Sequence, residues 1–335
     1  MKTAQLRQLL RERIVVLDGA MGTMIQRHPL DEQDFRGDRF AGHEKLLKGN
    51  NDLLTLTQPQ IIADIHRAYF LAGADIVETN TFSSTRVAQA DYGLEWAVMD
   101  LNVESARLAR GVADGLEAGG IGRPLYVAGA IGPTNRTASM SPDVNNPGFR
   151  AIGFDALKMA YSEQVQGLIA GGVDILLVET VFDTLNAKAA LYAIDEVQAG
   201  LGTALPVMVS GTITDASGRT LSGQTPEAFL ISVMHMPLLS VGFNCALGAR
   251  QLLPYLQVLD RQSPFAVSAY PNAGLPNEFG QYDEGPEHMA EQIEEYLKLG
   301  LVNMVGGCCG TTPEHIAAIA EKARHHRPRA MEVEA

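Results

Sequence analysis

The sequence predicts an α/β protein closed into a (β/α)8 barrel, and three observations predict it. Eight short apolar runs each end in Gly, Asn, Thr, Glu or Cys, and amphipathic helical stretches separate them. The runs do not alternate apolar with polar residues, as expected of strands buried on both faces in a parallel sheet. The chain has 335 residues, enough for one barrel of this kind, which commonly needs about 250 or more. An open doubly wound sheet competes, but no glycine-rich dinucleotide fingerprint follows the first strand.

The elements follow in order. MKTAQLRQLLRER alternates leucines with charges and predicts a short amphipathic helix, not a signal peptide. The first strand is Ile14–Leu17, ending in Asp18-Gly19-Ala20. Leu30 to Asn51 is polar and glycine-punctuated, an excursion before the second unit. Ile61 to Leu71 has apolar residues at helical spacing. Further strands are Ala74–Glu78, Leu125–Ile131, Ile175–Val178, Val207–Ser210, Ser240–Asn244 ending in Cys245, Phe265–Tyr270 and Leu301–Val305. Helical patterns fill Leu157 to Leu168, Thr184 to Val197, the stretch after Gly248, and His288 to Leu299. The last helix starts with Thr312 as cap and Pro313 in its first turn. Gly73–Thr79 weakly echoes Gly172–Thr180, each placing a Glu at a strand end. Loops from Pro133 to Arg150 and from Gly211 to Thr225 are long, polar and on one face, where such loops cover a substrate or meet a partner. The barrel is thus assigned to residues 1–327 and a charged, frayed tail to 328–335.

Composition bounds the function. At 46% hydrophobic and 19% charged, the chain has ample material for a core. A net charge of −13 argues against nucleic acid or an anionic membrane as partner. No apolar stretch approaches the roughly 20 residues of a membrane span. Three cysteines, two of them adjacent, exclude a disulfide scaffold and point to a reducing cytoplasm.

All three cysteines stand at the carboxyl ends of predicted strands, where α/β folds bind ligands: Cys245 after the sixth, Cys308 and Cys309 after the eighth. Strands of like parity supply the same interior layer, so the thiols can converge. Three thiolates with no fourth protein ligand describe an open zinc site, since zinc is usually four-coordinate and sulfur favours it over harder ions. The competing readings are cysteines that merely pack, and a vicinal dithiol redox site that leaves Cys245 unused. Gly306-Gly307 and Gly310 around the pair favour close wrapping of something. Such a site suits a substrate thiolate. A free thiol with a pKa of about 8.5 is only a few per cent ionised at neutral pH, and full ionisation recovers about 2 kcal/mol. Asp18 and Glu179 end strands at the same mouth and suit an ammonium group; alternatively Asp18 only starts a turn and Glu179 caps a helix. Backbone N–H groups from Gly19 and Ala20 onward suit a carboxylate. Asn272, with Glu78 and Asn244, also ends a strand there and is placed near the open metal position or just behind the metal ligands.

The motifs Val16-Leu17-Asp18-Gly19-Ala20-Met21-Gly22-Thr23, Lys48–Leu54, Glu78-Thr79-Asn80-Thr81-Phe82, Gly132–Thr137, Glu179–Asn186, Gly211–Thr220, Asn244–Gly248 and Gly306-Gly307-Cys308-Cys309-Gly310 resemble the homocysteine-binding domain of cobalamin-dependent methionine synthase, from about Leu6 to about Ile319. The resemblance implies zinc held by Cys245, Cys308 and Cys309, and L-homocysteine whose sulfur completes the shell. It implies that Asp18 and Glu179 contact the amino group and that N–H groups near Gly19 and Ala20 take the carboxylate. It further implies methyl transfer from methylcobalamin, ultimately from 5-methyltetrahydrofolate, to give methionine. The wider zinc-dependent family includes enzymes that use betaine or S-methylmethionine; the loops Pro133–Asn145 and Gly211–Gln224 resemble the cobalamin branch. Since the chain stops about where the barrel does, the cobalamin and folate domains are expected in trans, or the chain is an excised domain. Betaine or S-methylmethionine as donor, and a non-catalytic homocysteine-binding subunit, are the alternatives.

Overall fold

The computed structural model describes residues 2–215 and 217–331. Its strands are β1 (Val15–Val16), β2 (Ile76–Glu78), β3 (Tyr126–Ile131), β4 (Ile175–Val181), β5 (Val207–Gly211), β6 (Ser240–Gly248), β7 (Ala266–Asn272) and β8 (Met304–Val305). Its helices are α1 (Lys2–Glu12), α2 (Met21–Ile25), α3 (Glu32–Arg36), α4 (Leu54–Thr57), α5 (Pro59–Ala72), α6 (Arg86–Gln89), α7 (Val98–Ala118), α8 (Phe154–Gly171), α9 (Thr184–Leu201), α10 (Pro226–Val233), α11 (Ala249–Gln262), α12 (Pro286–Lys298) and α13 (Pro313–Ala323). The strands form one parallel sheet in the order β1-β8-β7-β6-β5-β4-β3-β2. A parallel bridge between Leu17 and Ile76 joins its edges, with Asp18 N–H donating to the Ile76 carbonyl and Asp75 N–H to that of Val16. The ring is therefore a (β/α)8 barrel, as the buried apolar runs predict.

Two apolar layers result from the strand period of two. One set packs between sheet and helices, including Val16, Val77, Val127, Val209 and Val241. The other fills the barrel: Val15, Leu17, Ile76, Tyr126, Ala128, Ile175, Leu177, Met208 and Met304. Leu6 and Leu10 of α1 join this inner cluster, so the amphipathic leader closes one end of the barrel. One step further along the same inward-facing rows stand Glu78, Glu179, Ser210 and Asn244. The interior thus changes from apolar to polar at the carboxyl ends of the strands.

Three expectations need correction. The Leu30–Asn51 excursion is more than polar loop: Asp31 forms a capping box for α3, and Phe35, Phe40 and Leu47 are buried in the main core. These three lie too far apart for any periodic signal. Thr312 occupies the N-cap of α13, yet its hydroxyl contacts the Glu314 carboxylate and His315 instead of a backbone N–H. The tail is not frayed at Arg329. Its guanidinium donates to the Asp260 carboxylate at 2.9 Å and to the carbonyls of Asp260, Ser263 and Phe265 at 2.7, 3.0 and 3.1 Å. Its backbone pairs with Val302 and Asn303. A charged residue is held here because it satisfies carbonyls in the last turn of α11 and just after it; the rest of the expected tail, 332–335, lies outside the described residues. Among the described residues no helix is long and apolar enough to cross a membrane.

Arg329→Ala leaves those carbonyls without their charged donor and is expected to lower unfolding free energy by about 2–3 kcal/mol. Arg327→Ala, at an exposed position, is expected to stay within about 0.5 kcal/mol of the parent. Urea denaturation of both checks this.

Candidate active site

The three thiols meet at the carboxyl end of the barrel. Their sulfurs all lie within 4.8 Å of one another, with Cys245 Sγ 3.7 Å from Cys309 Sγ. Convergence needs an irregular β6. Cys245 and Ala246 take left-handed conformations, with φ of 58° and 55°, and the pairing of β6 with β7 shifts register between Asn244 and Gly248. Such a bulge re-aims a side chain that regular pleating would send elsewhere. Cys308 and Cys309 are placed by backbone on both sides. Gly307 N–H donates to the Asp18 carbonyl, Cys308 N–H to that of Pro271, and Ala273 N–H to that of Cys309. Glycine is required in this turn: a Cβ on Gly307 would stand 2.5 Å from Thr311 Cγ2, and one on Gly306 2.8 Å from Leu17 Cβ.

The thiols open onto a cavity of about 730 Å³ whose lining includes Asp18, Gly19, Ala20, Glu78, Glu179 and Tyr270. Asp18 Oδ2 accepts the Glu78 N–H at 3.0 Å, across from β1 to β2. Burial pushes the carboxyls of Asp18, Glu78 and Glu179 well above their usual range, and each is raised further by a neighbouring acid. Glu179 does not cap the helix that follows it; Asp183 does, accepting from Leu185 and Asn186 N–H. Asp18 does more than start a turn, since its carboxylate faces the cavity. The structure therefore brings together Asp18, Gly19, Ala20, Glu179 and all three cysteines.

Two expected positions need a closer description. Asn272 is buried at the end of β7, is not itself among the residues lining the cavity, and its Oδ1 has no partner among the described residues, so its expected role near the metal position or behind the ligands stays a proposal. Its strand is irregular at that point, where β6 rejoins it at Gly248. Ala20 N–H already donates to Thr311 Oγ1 at 3.1 Å, so it holds the Gly19–Ala20 turn and is not free for a ligand while that bond stands. Tyr270 and Tyr282 were missed. Tyr270 shares the inward parity of β7 and is buried with its hydroxyl unpartnered among the described residues, and its inward parity is a signal the pattern of β7 contained. Tyr282 comes from the loop after β7 and sits beside Cys309, with no pattern to reveal it.

The donor set fits a metal. Three soft sulfur ligands converge, the site is open on the cavity side, and the arrangement uses Cys245, which a dithiol pair would not. Without a metal the thiols influence one another strongly. Hydrogen bonds from Cys245 and Cys308 hold Cys309 down to about 3. The same bonding, with burial, pushes Cys308 well above the usual thiol range.

Barrel, thiol cluster and acid cluster share one cavity at the carboxyl ends of the strands, the arrangement of a barrel enzyme. The chain belongs to the homocysteine S-methyltransferase family, whose model matches residues 15–323. Among solved structures it is similar to the homocysteine methyltransferase MmuM from Escherichia coli. The metallated form matches at 23% identity and a TM-score of 0.72, over 95% of this chain and 99% of that one. The oxidized form matches at 23% identity and 0.69, over 92% and 96%. The apo form matches at 22% and 0.66, over 94% and 97%.

The raised carboxyls carry a stability consequence. Protons stay on the folded acids after the unfolded chain has released its own, near pH 4. Their contribution is full below that value and is lost as pH rises through the raised folded values. Glu78→Gln removes one such acid. Ligand-free Glu78→Gln protein is therefore expected to lose less melting temperature than the parent between about pH 5 and about pH 8, as differential scanning calorimetry would show.

Proposed function

We propose that this chain methylates L-homocysteine to methionine as the homocysteine-binding component of a methionine synthase, with zinc held by Cys245, Cys308 and Cys309. The observation that carries the proposal is the convergence of three sulfurs at one edge of a cavity whose lining also holds buried Asp18 and Glu179 and half-buried Glu78. Bound there, zinc would keep a substrate thiol ionised at neutral pH, which a thiol with a pKa of about 8.5 is not. Asp18 and Glu179, with Glu78 beside them, bind and orient the ammonium group, and that charge in turn favours their ionised forms. The backbone at Gly19 gives the carboxylate close access, because no side chain fits there: a Cβ would stand 2.6 Å from Thr311 Oγ1. Held at both ends, the homocysteine sulfur takes the methyl group by in-line displacement, the S–C bond forming as the donor bond breaks and its electron pair leaves with the donor.

Methylcobalamin, recharged from 5-methyltetrahydrofolate and carried on a separate domain or chain, is the proposed donor. A corrinoid is too large to enter a cavity of about 730 Å³ beside homocysteine and would remain at the mouth. Exposed Val144, Phe149, Leu221, Leu275 and Phe279 on the loops after β3, β5 and β7 support a bulky, partly apolar carrier there. A second reading, a small cationic donor such as betaine or S-methylmethionine, draws support from Asp52, Phe82 and Tyr92 in the lining of the same cavity.

Assays of the zinc-loaded chain with L-homocysteine and each donor separate the two. Methionine from methylcobalamin and none from betaine or S-methylmethionine is expected; robust turnover with either small donor alone would replace the cobalamin reading. Cys308→Ser is expected to lose zinc and at least about 100-fold in activity, more than loss of a residue that only supports a ligand. Glu179→Gln is expected to raise KM for homocysteine about 10- to 100-fold, the worth of one charge-assisted hydrogen bond, while zinc content stays at the parent level.

A further inference from the structure

We infer that Asn244 is a positioning residue that sets the thiol end of the homocysteine site against its amino end; the inference rests on the proposed homocysteine reading. Asn244 is fully buried midway along β6, at the last residue before its pairing with β7 shifts register. Its amide uses every bond it can make. Oδ1 accepts from Thr180 N–H at 3.1 Å and from the Ser210 hydroxyl at 2.7 Å. Nδ2 donates to Thr180 Oγ1 at 2.8 Å and to Cys308 Sγ at 3.8 Å. Thr180 passes the chain on, its hydroxyl donating to Glu179 Oε2 at 3.3 Å. A continuous path therefore runs from a proposed metal ligand on the β8 side to a proposed ammonium ligand on β4, with one side chain at its centre.

The local backbone shows why a rigid centre is needed. Thr180 has φ of 53°, and Cys245, the residue after Asn244, has φ of 58°. A β-branched residue in the left-handed region is a true outlier, and such residues persist only where their surroundings over-determine them. Asn244 grips Thr180 by both its N–H and its hydroxyl, and so fixes the direction in which Glu179 leaves β4. On the other side, an N–H donor to the Cys308 sulfur fixes that ligand's direction and takes up part of its charge. Aspartate has the same shape and can still accept from Thr180 and Ser210, but it has no N–H to give. Aspartate also brings a negative charge beside Cys308, which by itself would attract a cation, so weaker zinc binding by the variant would report the lost donated bonds.

The test compares parent, Asn244→Asp and Thr180→Val. Zinc affinity is read by chelator competition, the thiolate environment by the charge-transfer band of the cobalt(II)-substituted protein, and homocysteine by KM and kcat. Asn244→Asp is expected to bind zinc about 10- to 100-fold more weakly, with a shifted charge-transfer band and a raised KM. Thr180→Val breaks the path only toward Glu179. It is expected to keep zinc affinity within about threefold and the band unmoved while KM rises, within the several-fold to about 100-fold worth of a hydrogen bond to a charged group. A folded Asn244→Asp protein with parental zinc affinity and band would overturn the inference. If that variant does not fold, the parent loaded with cadmium-113 decides: a scalar coupling from the Asn244 Nδ2 proton to the metal through Cys308 is expected, and its absence overturns the inference. A parent chain that takes up no zinc would instead sink the homocysteine reading on which this rests.

Discussion

The site depends on how closely β8 approaches β1. Leu17 N–H reaches the Val305 carbonyl, and Gly307 N–H reaches that of Asp18, so the first and last strands meet directly beneath the cysteine pair. No side chain fits in that seam. Gly19, Gly306 and Gly307 would each drive a Cβ into Thr311, Tyr69 or Leu17. Closing the barrel and placing two of the three thiols are therefore one event. Thr311 and Tyr69 reinforce it: the Thr311 hydroxyl donates to the Cys308 carbonyl, and Tyr69 bonds the carbonyls of Ala20 and Thr311. An alanine in this seam would disturb the thiol geometry as well as the packing.

The cavity concentrates groups that are unfavourable when left alone. Three neighbouring acids raise one another's pKa, and three thiols compete for the same protons. Left-handed Thr180, Cys245 and Ala246 add backbone strain at the same strand ends. Such arrangements persist where function needs them and the scaffold is otherwise strong. Here the scaffold is a barrel filled with branched apolar side chains and closed at its far end by Leu6 and Leu10. A cation among the acids and a metal among the thiols would each relieve part of the cost, so ligand binding and local stability are linked.

Much of this was legible from residue order alone. Buried parallel strands announce themselves as unbroken apolar runs, and a residue at the carboxyl end of such a run has a known address in a barrel. That logic placed Asp18, Glu179 and the three cysteines at one mouth before any coordinates. It could not find Tyr282, which lies in an aperiodic loop, nor the bulge that turns Cys245, because left-handed φ at a non-glycine residue leaves no mark in composition. Arg329 looked like a solvated tail charge because its partners are backbone carbonyls far away in sequence. Asn272 is the reverse case: its place at a strand end was legible, but its buried, unpartnered Oδ1 leaves its role as a proposal.

The central claim, that three thiols hold a zinc ion with one position for the substrate sulfur, is tested most directly by zinc content and zinc K-edge absorption with and without L-homocysteine. The account predicts one zinc per chain in a three-sulfur shell that becomes four-sulfur when homocysteine is added. No zinc, or a shell that homocysteine leaves unchanged, would contradict it.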